Sequence, residues 1–267
     1  MTLKFTILGC GTSGGVPRIG GDWGNCDPAN PKNRRLRCSL LVEHIGAEGA
    51  TKILVDTSPD ARQQLLDAQV SRLDGVLFTH DHADHTHGID DLRVVAMNDR
   101  SRVNVYCDDY TSGILDKRFA YCFQALPGSS YKPILIKNII KPGETFEIKG
   151  KGGEVKVMPY HQHHGEIMSV GYRFCDIAYS CDINALPDES YQYLEGLDVW
   201  IVDALRLTRH PSHFSLEETL AAIEQVKPKR AILTHMHTDL DYDTLLRELP
   251  DGVEPAYDGM VLEMPGL

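Results

Sequence analysis

An apolar run, Val76-Leu77-Phe78, passes without a break into Thr79-His80-Asp81-His82-Ala83-Asp84-His85. Three histidines and Asp84 fall within six positions directly behind what reads as a buried strand. Neutral imidazole and carboxylate are the ligands that divalent transition metals accept. A strand end holds such ligands on a rigid support. Asp84 and His85 are adjacent and of different type, so they do not easily serve one ion together with His80 and His82. The spacing implies a second ion nearby.

At 267 residues and 42 % hydrophobic content the chain can bury a substantial core. No run approaches the roughly 18 apolar residues of a membrane span, and Met1-Thr2-Leu3-Lys4-Phe5 leads into a strand with no signal-peptide pattern. The seven cysteines are odd in number, with no Cys-x-x-Cys pair. Reduced thiols in a cytoplasm are expected rather than a disulfide framework. The 27 basic and 38 acidic residues give a formal charge of −11, so the chain gains nothing from non-specific attraction to nucleic acid.

Strands are expected at 3–8, 39–43, 52–55, 75–78, 103–106, 145–149, 154–158, 170–174, 177–179, 199–202, 231–233 and 259–263. Two helices are marked. Ser58 with Pro59 at the first helical position opens one through about Ala68. Ser215 and Glu218 form a capping box for another, with Leu216, Leu220, Ile223 and Val226 on one face and Pro228 beyond its end. No linker is rich enough in Pro, Gly or Ser to divide the chain, so one domain over 1–267 with an α/β architecture is expected.

Gly9-Cys10-Gly11-Thr12-Ser13-Gly14 follows the first strand and matches G-x-G-x-x-G. A dinucleotide site needs a helix to start there, and Gly15-Val16-Pro17 followed by Gly20-Gly21 and Gly24 cannot supply one. The loop can still offer backbone N–H groups to a phosphate. Further ligand candidates also follow apolar strands: His161, His163 and His164, then Asp182, then His235. Each alone reads as a cap or surface group. Together, in a chain carrying the first cluster, they read as one metal site.

The order His-x-His-x-Asp-His, a distant His, an Asp and a late His resembles the metallo-β-lactamase-fold hydrolases, over essentially the whole chain. The resemblance implies a four-layer αββα sandwich of two mixed β-sheets with a dinuclear metal site, zinc or manganese, at one edge. Carried over by position, His80, His82 and His164 correspond to the ligands of one ion. Asp84, His85 and His235 correspond to those of the second, and Asp182 to the bridge. His161 and His163 remain competitors of His164. Asp56, in Leu54-Val55-Asp56-Thr57, matches an early aspartate that supports the ligands.

The Gly9–Pro17 loop, the basic run Lys32-Asn33-Arg34-Arg35-Leu36-Arg37 and Ser39 resemble the PhnP-type phosphodiesterase branch and, more distantly, the tRNA 3′-processing endonucleases. A histidine before the late ligand, here His213 with His210 as a weaker competitor, assists phosphoryl chemistry in that branch. The chain departs from the branch in having one cysteine, Cys26, where a knuckle would hold a structural zinc, and one thiolate cannot build that site. Only 17 residues separate His164 from Asp182, too few for the arm that grips tRNA.

The implied reaction is hydrolysis of a small phosphodiester, a cyclic sugar phosphate or a nucleotide, by a hydroxide shared between two cations about 3.5–4 Å apart. His213 would be the general acid, Asp84 would orient the hydroxide, and Ser13, Gly14 and Arg37 would bind substrate, with Arg34 and Arg35 as alternatives to Arg37. No membrane or tRNA partner is expected. Members of the fold often form homodimers, and no segment here reads as an interface. The alternative is a thioester or lactone hydrolase of the same fold, which needs no acid at His213. A di-iron redox protein would put Glu where His82 stands, and a non-enzymatic scaffold would have lost ligands.

Overall fold

The computed structural model describes residues 2–125 and 127–265. Among the described residues fourteen strands form two sheets. The first contains β1 (Thr2–Gly9), β2 (Ser39–Gly46), β3 (Gly49–Val55), β4 (Gly75–Leu77), β5 (Val103–Cys107), β6 (Leu135–Ile139) and β14 (Val261–Pro265), in the order β14-β1-β2-β3-β4-β5-β6. The second contains β7 (Phe146–Gly150), β8 (Gly153–His164), β9 (Ile167–Phe174), β10 (Ile177–Ser180), β11 (Val199–Asp203), β12 (Arg230–Thr234) and β13 (Val253–Pro255), in the order β13-β12-β11-β10-β9-β8-β7. Each sheet is half antiparallel and half parallel: β3 to β6 run parallel in one, β10 to β13 in the other. This is the mixed two-sheet architecture of the metallo-β-lactamase fold.

Side chains alternate across each strand, and in the first sheet both faces are apolar. Leu40, Val42, Ile53, Val55 and Leu77 point into the core shared with Val157, Tyr172, Phe174 and Ile201 of the second sheet. Their neighbours Leu41, Leu54, Val76 and Phe78 belong to a separate cluster on the other face. That outer cluster is covered by α1 (Ala61–Asp67), α3 (Leu92–Asp99) and α4 (Asp109–Phe123), through Leu65, Val95 and Leu115. A one-turn helix, α2 (Ala83–Thr86), carries the end of the histidine motif. α5 (Leu216–Val226) and α6 (Tyr242–Glu248) add Ala222 and Leu245 to the core on the second sheet's side. No helix among the described residues is long and apolar enough to cross a membrane.

Several elements differ from expectation. The first helix begins at Ala61, not at Pro59, because Ser58 Oγ accepts from Asp60 N (3.1 Å) in a turn and Asp60 turns its carboxylate to Arg37. The capping box of Ser215 and Glu218 forms with both hydrogen bonds, but the deepest residues of α5 are Thr219 and Ala222 rather than the leucines. The edge strands β6 and β13 and the helices α3, α4 and α6 carry no clear periodicity. The buried face of α4 uses Thr111 and Ser112 beside Leu115, Cys122 and Phe123, and its backbone breaks at Phe119 (φ −130°, ψ 34°).

The second sheet depends on one close approach. An added Cβ on Gly171 would stand 2.3 Å from the Tyr160 ring. That ring is held by its hydroxyl, 2.7 Å from Ser180 Oγ, which also accepts from Trp200 Nε1 at 2.8 Å. Overpacking of this kind costs about 1–3 kcal/mol. Gly171→Ala should therefore lower the unfolding free energy by about that amount, measured by chemical unfolding, whereas Gly113→Ala, where an added Cβ meets nothing within 4 Å, should not.

Candidate metal centre

The motif residues all stand at the carboxyl ends of strands. Asp56 follows β3, His80 to His85 follow β4, His164 closes β8, Asp182 lies just beyond β10, Asp203 closes β11 and His235 follows β12. Parallel pairing sets Ser180 beside Val202 and Asp203 beside Thr234, so the three strand ends of the second sheet arrive side by side. The two sheets are clasped at this edge. Tyr172 Oη donates to Phe78 O (2.7 Å) and Val170 N to Thr79 O (2.8 Å), fixing where the histidine loop begins.

Asp182 is the meeting point. Its Oδ2 lies 3.6 Å from His80 Nε2 and 3.5 Å from His164 Nε2, and its Oδ1 lies 3.1 Å from His85 Nε2 and 3.3 Å from His235 Nε2. Asp84 Oδ2 closes the second side, 3.3 Å from His85 Nε2 and 3.5 Å from His235 Nε2. His82 Nδ1 stands 3.1 Å from His164 Nε2. Ligands bonded at about 2.0–2.2 Å to one tetrahedral ion are roughly 3.3–3.6 Å apart, which is the spacing found here. The buried Nε2 atoms of His80, His85 and His235 have no hydrogen-bond partner. An unpaired buried polar atom costs about 1–3 kcal/mol, and a cation between these donors satisfies all three. The residues fit a pair of divalent ions: His80, His82, His164 and Asp182 for one, Asp84, His85, His235 and Asp182 for the other.

Supporting contacts hold two of the rings by their other nitrogen, as is usual for metal-binding imidazoles. His85 Nδ1 donates to Asp56 Oδ2 (2.7 Å), and His164 Nδ1 donates to the carbonyl of Ser212 (2.6 Å). Asp56 is itself fixed by Thr79 N (2.8 Å) and Thr79 Oγ1 (2.7 Å). Asp56, Asp182 and His235 all adopt left-handed backbone, with φ of 63°, 55° and 58°. Such conformations cost of order 1–3 kcal/mol for a non-glycine residue; here they turn each side chain out of a strand end toward one point.

Strand alternation settles which histidine of β8 joins the group. Tyr160, Gln162 and His164 share the buried face, while His161 and His163 point the other way. His163 pairs its backbone with Ala185 and Asn184. The strand runs on to His164, farther than the expected end at Met158, and this places the ligand face.

His213 stacks on His235 (centroids 4.7 Å apart, planes 10° apart) and donates from Nδ1 to Asp203 Oδ2 at 2.7 Å. Its Nε2 stands 3.9 Å from Asp182 Oδ2, at the rim of the donor set. His210 lies farther out, its ring 5.2 Å from that of His213. Asp203 is fully buried and was missed in the sequence, although it ends the run Val199-Trp200-Ile201-Val202 as Asp56 and Asp182 end theirs. Cys181, whose Sγ lies 3.0 Å from Asp182 Oδ1, was missed as well.

The proposed substrate-binding residues divide. The loop at 9–15 is anchored by Thr12 N to Met236 O (3.2 Å), the residue after His235, and leaves Ser13 and Gly14 exposed. The glycines before them serve packing, since a Cβ on Gly9 would meet the carbonyl of Arg37 at 2.1 Å. Arg37 is held by Asp60, with Nε 2.8 Å from Oδ2 and an Nη donating to Oδ1 at 3.0 Å. Arg35 is buried and donates to the carbonyls of Leu240 (2.7 Å) and His237 (3.3 Å). Both arginines are thereby structural. Arg34 lies over the Trp23 ring.

Residues 51–236 match the Beta-lactamase superfamily domain. The chain belongs to this superfamily. Among solved structures, one described as a new diphosphatase from the PhnP family superposes with a TM-score of 0.88 at 36 % identity, covering 99 % of this chain and 98 % of that one. The short form of human tRNase Z shares the fold, with a TM-score of 0.65 at 16 % identity over 98 % of this chain and 99 % of that one. An octanoyltransferase of Porphyromonas gingivalis is 31 % identical over 261 residues, 97 % of this chain and 51 % of that protein. The chain thus spans about half the length of this relative.

Charge within the site follows the same geometry. Burial and the neighbouring imidazoles hold His80 well below its usual range, and burial lowers His164, so both are neutral and ready to ligate. Burial opposes charge on His235 too, but the Asp182 and Asp84 carboxylates outweigh it and push the imidazole up to about 10 without metal. A ligand must shed its proton before it binds metal. Zinc added to the metal-free protein at pH 8 should therefore release protons, and apparent affinity should keep rising as pH approaches 10. Indicator titration in weak buffer checks this, with Asp182→Ala expected to lose both the binding and the release.

Proposed function

We propose that the chain hydrolyses a small phosphodiester, with cyclic sugar phosphates and nucleotides as the candidate substrates. The observation that carries this reading is His213. It is an oriented imidazole beside the donor set, fixed by the buried Asp203, that the metal ligand set does not need. Two divalent cations, zinc or manganese, would lower the pKa of a water toward neutrality and offset charge on the phosphate.

The chain's own residues do the rest. Burial raises the cost of charge on Asp84, but His85 and His235 keep it ionised far below the usual carboxylate range, so it accepts a hydrogen bond from the attacking water. Asp203 accepts a hydrogen bond from Nδ1 of His213 and so directs Nε2 toward the site. From there His213 delivers a proton to the departing alkoxide, a step commonly worth about 10²–10⁴-fold. Ser13 and Gly14 sit on the loop anchored beside His235 and are proposed to meet the phosphate. An open cleft of about 540 Å³ lies beside His82, lined by Ala83, His87, Arg118 and Phe119, and its size suits a small substrate.

The similarity to a PhnP-family diphosphatase supports the phosphoryl reading, since hydrolysis of a diphosphate linkage also attacks phosphorus and breaks a P–O bond. Acyl chemistry is the second reading, favoured by the octanoyltransferase relative. A thiolate departs without a proton near neutral pH, so that reaction leaves His213 and Asp203 without a task.

The metal-stripped protein, supplied with Mn²⁺ or Zn²⁺, should cleave bis(p-nitrophenyl) phosphate and leave a thioester and a lactone essentially untouched. The opposite pattern would overturn the reading. His213→Ala should retain two metals per chain. It should lose about 10²–10⁴-fold on a diester with an alkyl leaving group and much less on the nitrophenyl diester, whose leaving group needs little protonation. Equal losses on both substrates would make His213 a structural residue.

A further inference from the structure

We propose that Cys181 is a thiolate ligand of the second metal position, which makes that position the softer of the two. The proposal rests on the two-ion reading above and concerns a residue that reading leaves idle. Cys181 is fully buried and follows β10 directly, one residue before the shared aspartate. Its Sγ lies 3.0 Å from Asp182 Oδ1, the same oxygen that faces His85 Nε2 at 3.1 Å and His235 Nε2 at 3.3 Å. One donor atom from each of His85, Cys181, Asp182 and His235 falls within 4.8 Å of all the others. The two imidazole nitrogens in that group are buried and have no partner. This is a closed set of two nitrogens, one oxygen and one sulfur, the donor mixture that tetrahedral zinc favours.

Asp84 adds a fifth donor at the same two imidazoles, 3.3 Å from His85 Nε2 and 3.5 Å from His235 Nε2. The compact group of four does not include it. Cys181 and Asp182 therefore form the fixed wall of the position, and Asp84, whose side chain is 12 % exposed, forms its solvent side. The group assigned to the first ion, His80, His82, His164 and Asp182, contains no sulfur. Without metal the thiol proton is shared with Asp182 Oδ1. On binding, the S–H bond breaks, the proton passes to solvent and the sulfur lone pair enters the metal bond. A sulfur ligand favours zinc or cobalt over manganese, so the two positions should differ in metal preference. A second buried thiol, Cys38, lies nearby but is held by Gly11 O (3.5 Å) and Thr234 Oγ1 (3.6 Å) and is not one of the four donors.

The test is cobalt substitution of the full chain. Two Co²⁺ per chain should bind, with visible ligand-field bands and an intense near-ultraviolet sulfur-to-cobalt charge-transfer band. Cys181→Ser should lose the charge-transfer band, and Cys38→Ala should keep it. X-ray absorption of the wild-type zinc protein needs no variant and should show one sulfur at about 2.3 Å for every two zinc ions. Cobalt bound with ligand-field bands but no charge-transfer band, or zinc spectra with only nitrogen and oxygen neighbours, would overturn the Cys181 proposal while sparing the metal site. A protein that binds no cobalt at all would overturn the two-ion reading as well.

Discussion

One buried carboxylate organises this molecule. Asp182 is 1 % exposed, and five imidazoles reach within 3.1–3.9 Å of its two oxygens. Burying so many ionisable groups together is unfavourable unless charge is compensated locally. The imidazoles hold Asp182 ionised against burial, and the carboxylate in turn raises His85 and His235. Protons do for the metal-free protein what cations would do in their place. The nitrogens without partners show that protons satisfy the arrangement only in part.

That cluster exists because two half-parallel sheets meet edge to edge in function while packing face to face. In each sheet the parallel strands end on the same side, and loops leaving carboxyl ends are where open α/β sheets place ligands. The strand ends bring side chains of different sequence origin to one line. Left-handed backbone at Asp56, Asp182 and His235 then turns them toward a common point. The strain is tolerated because the flanking strands are held by a continuous apolar core and by the clasp from Tyr172 and Val170.

The strands with strong apolar runs were legible because burial on both faces leaves unbroken stretches such as Ile53-Leu54-Val55, Val76-Leu77-Phe78 and Val199-Trp200-Ile201-Val202. The capping box at Ser215 was legible because its chemistry is local. α4 was not, since its buried face uses Thr111 and Ser112 and tertiary packing supplies the stability its pattern lacks. β6 and β13 were not, because an edge strand needs only one neighbour and carries little hydrophobic signal.

The site divides in the same way. The sequence alone determined the donor inventory from His80 to His235, because strand-end His and Asp are chemically conspicuous behind apolar runs. It also determined the family resemblance that ordered them. Only the tertiary structure decided between His161, His163 and His164, since which of three neighbours faces Asp182 and the other donors depends on where β8 ends and on its pleat. The tertiary structure also tied Arg37 to Asp60 and brought Asp203 to His213 and Cys181 to Asp182. Spacing along the chain carries no record of such pairings, because strand register and sheet order create them.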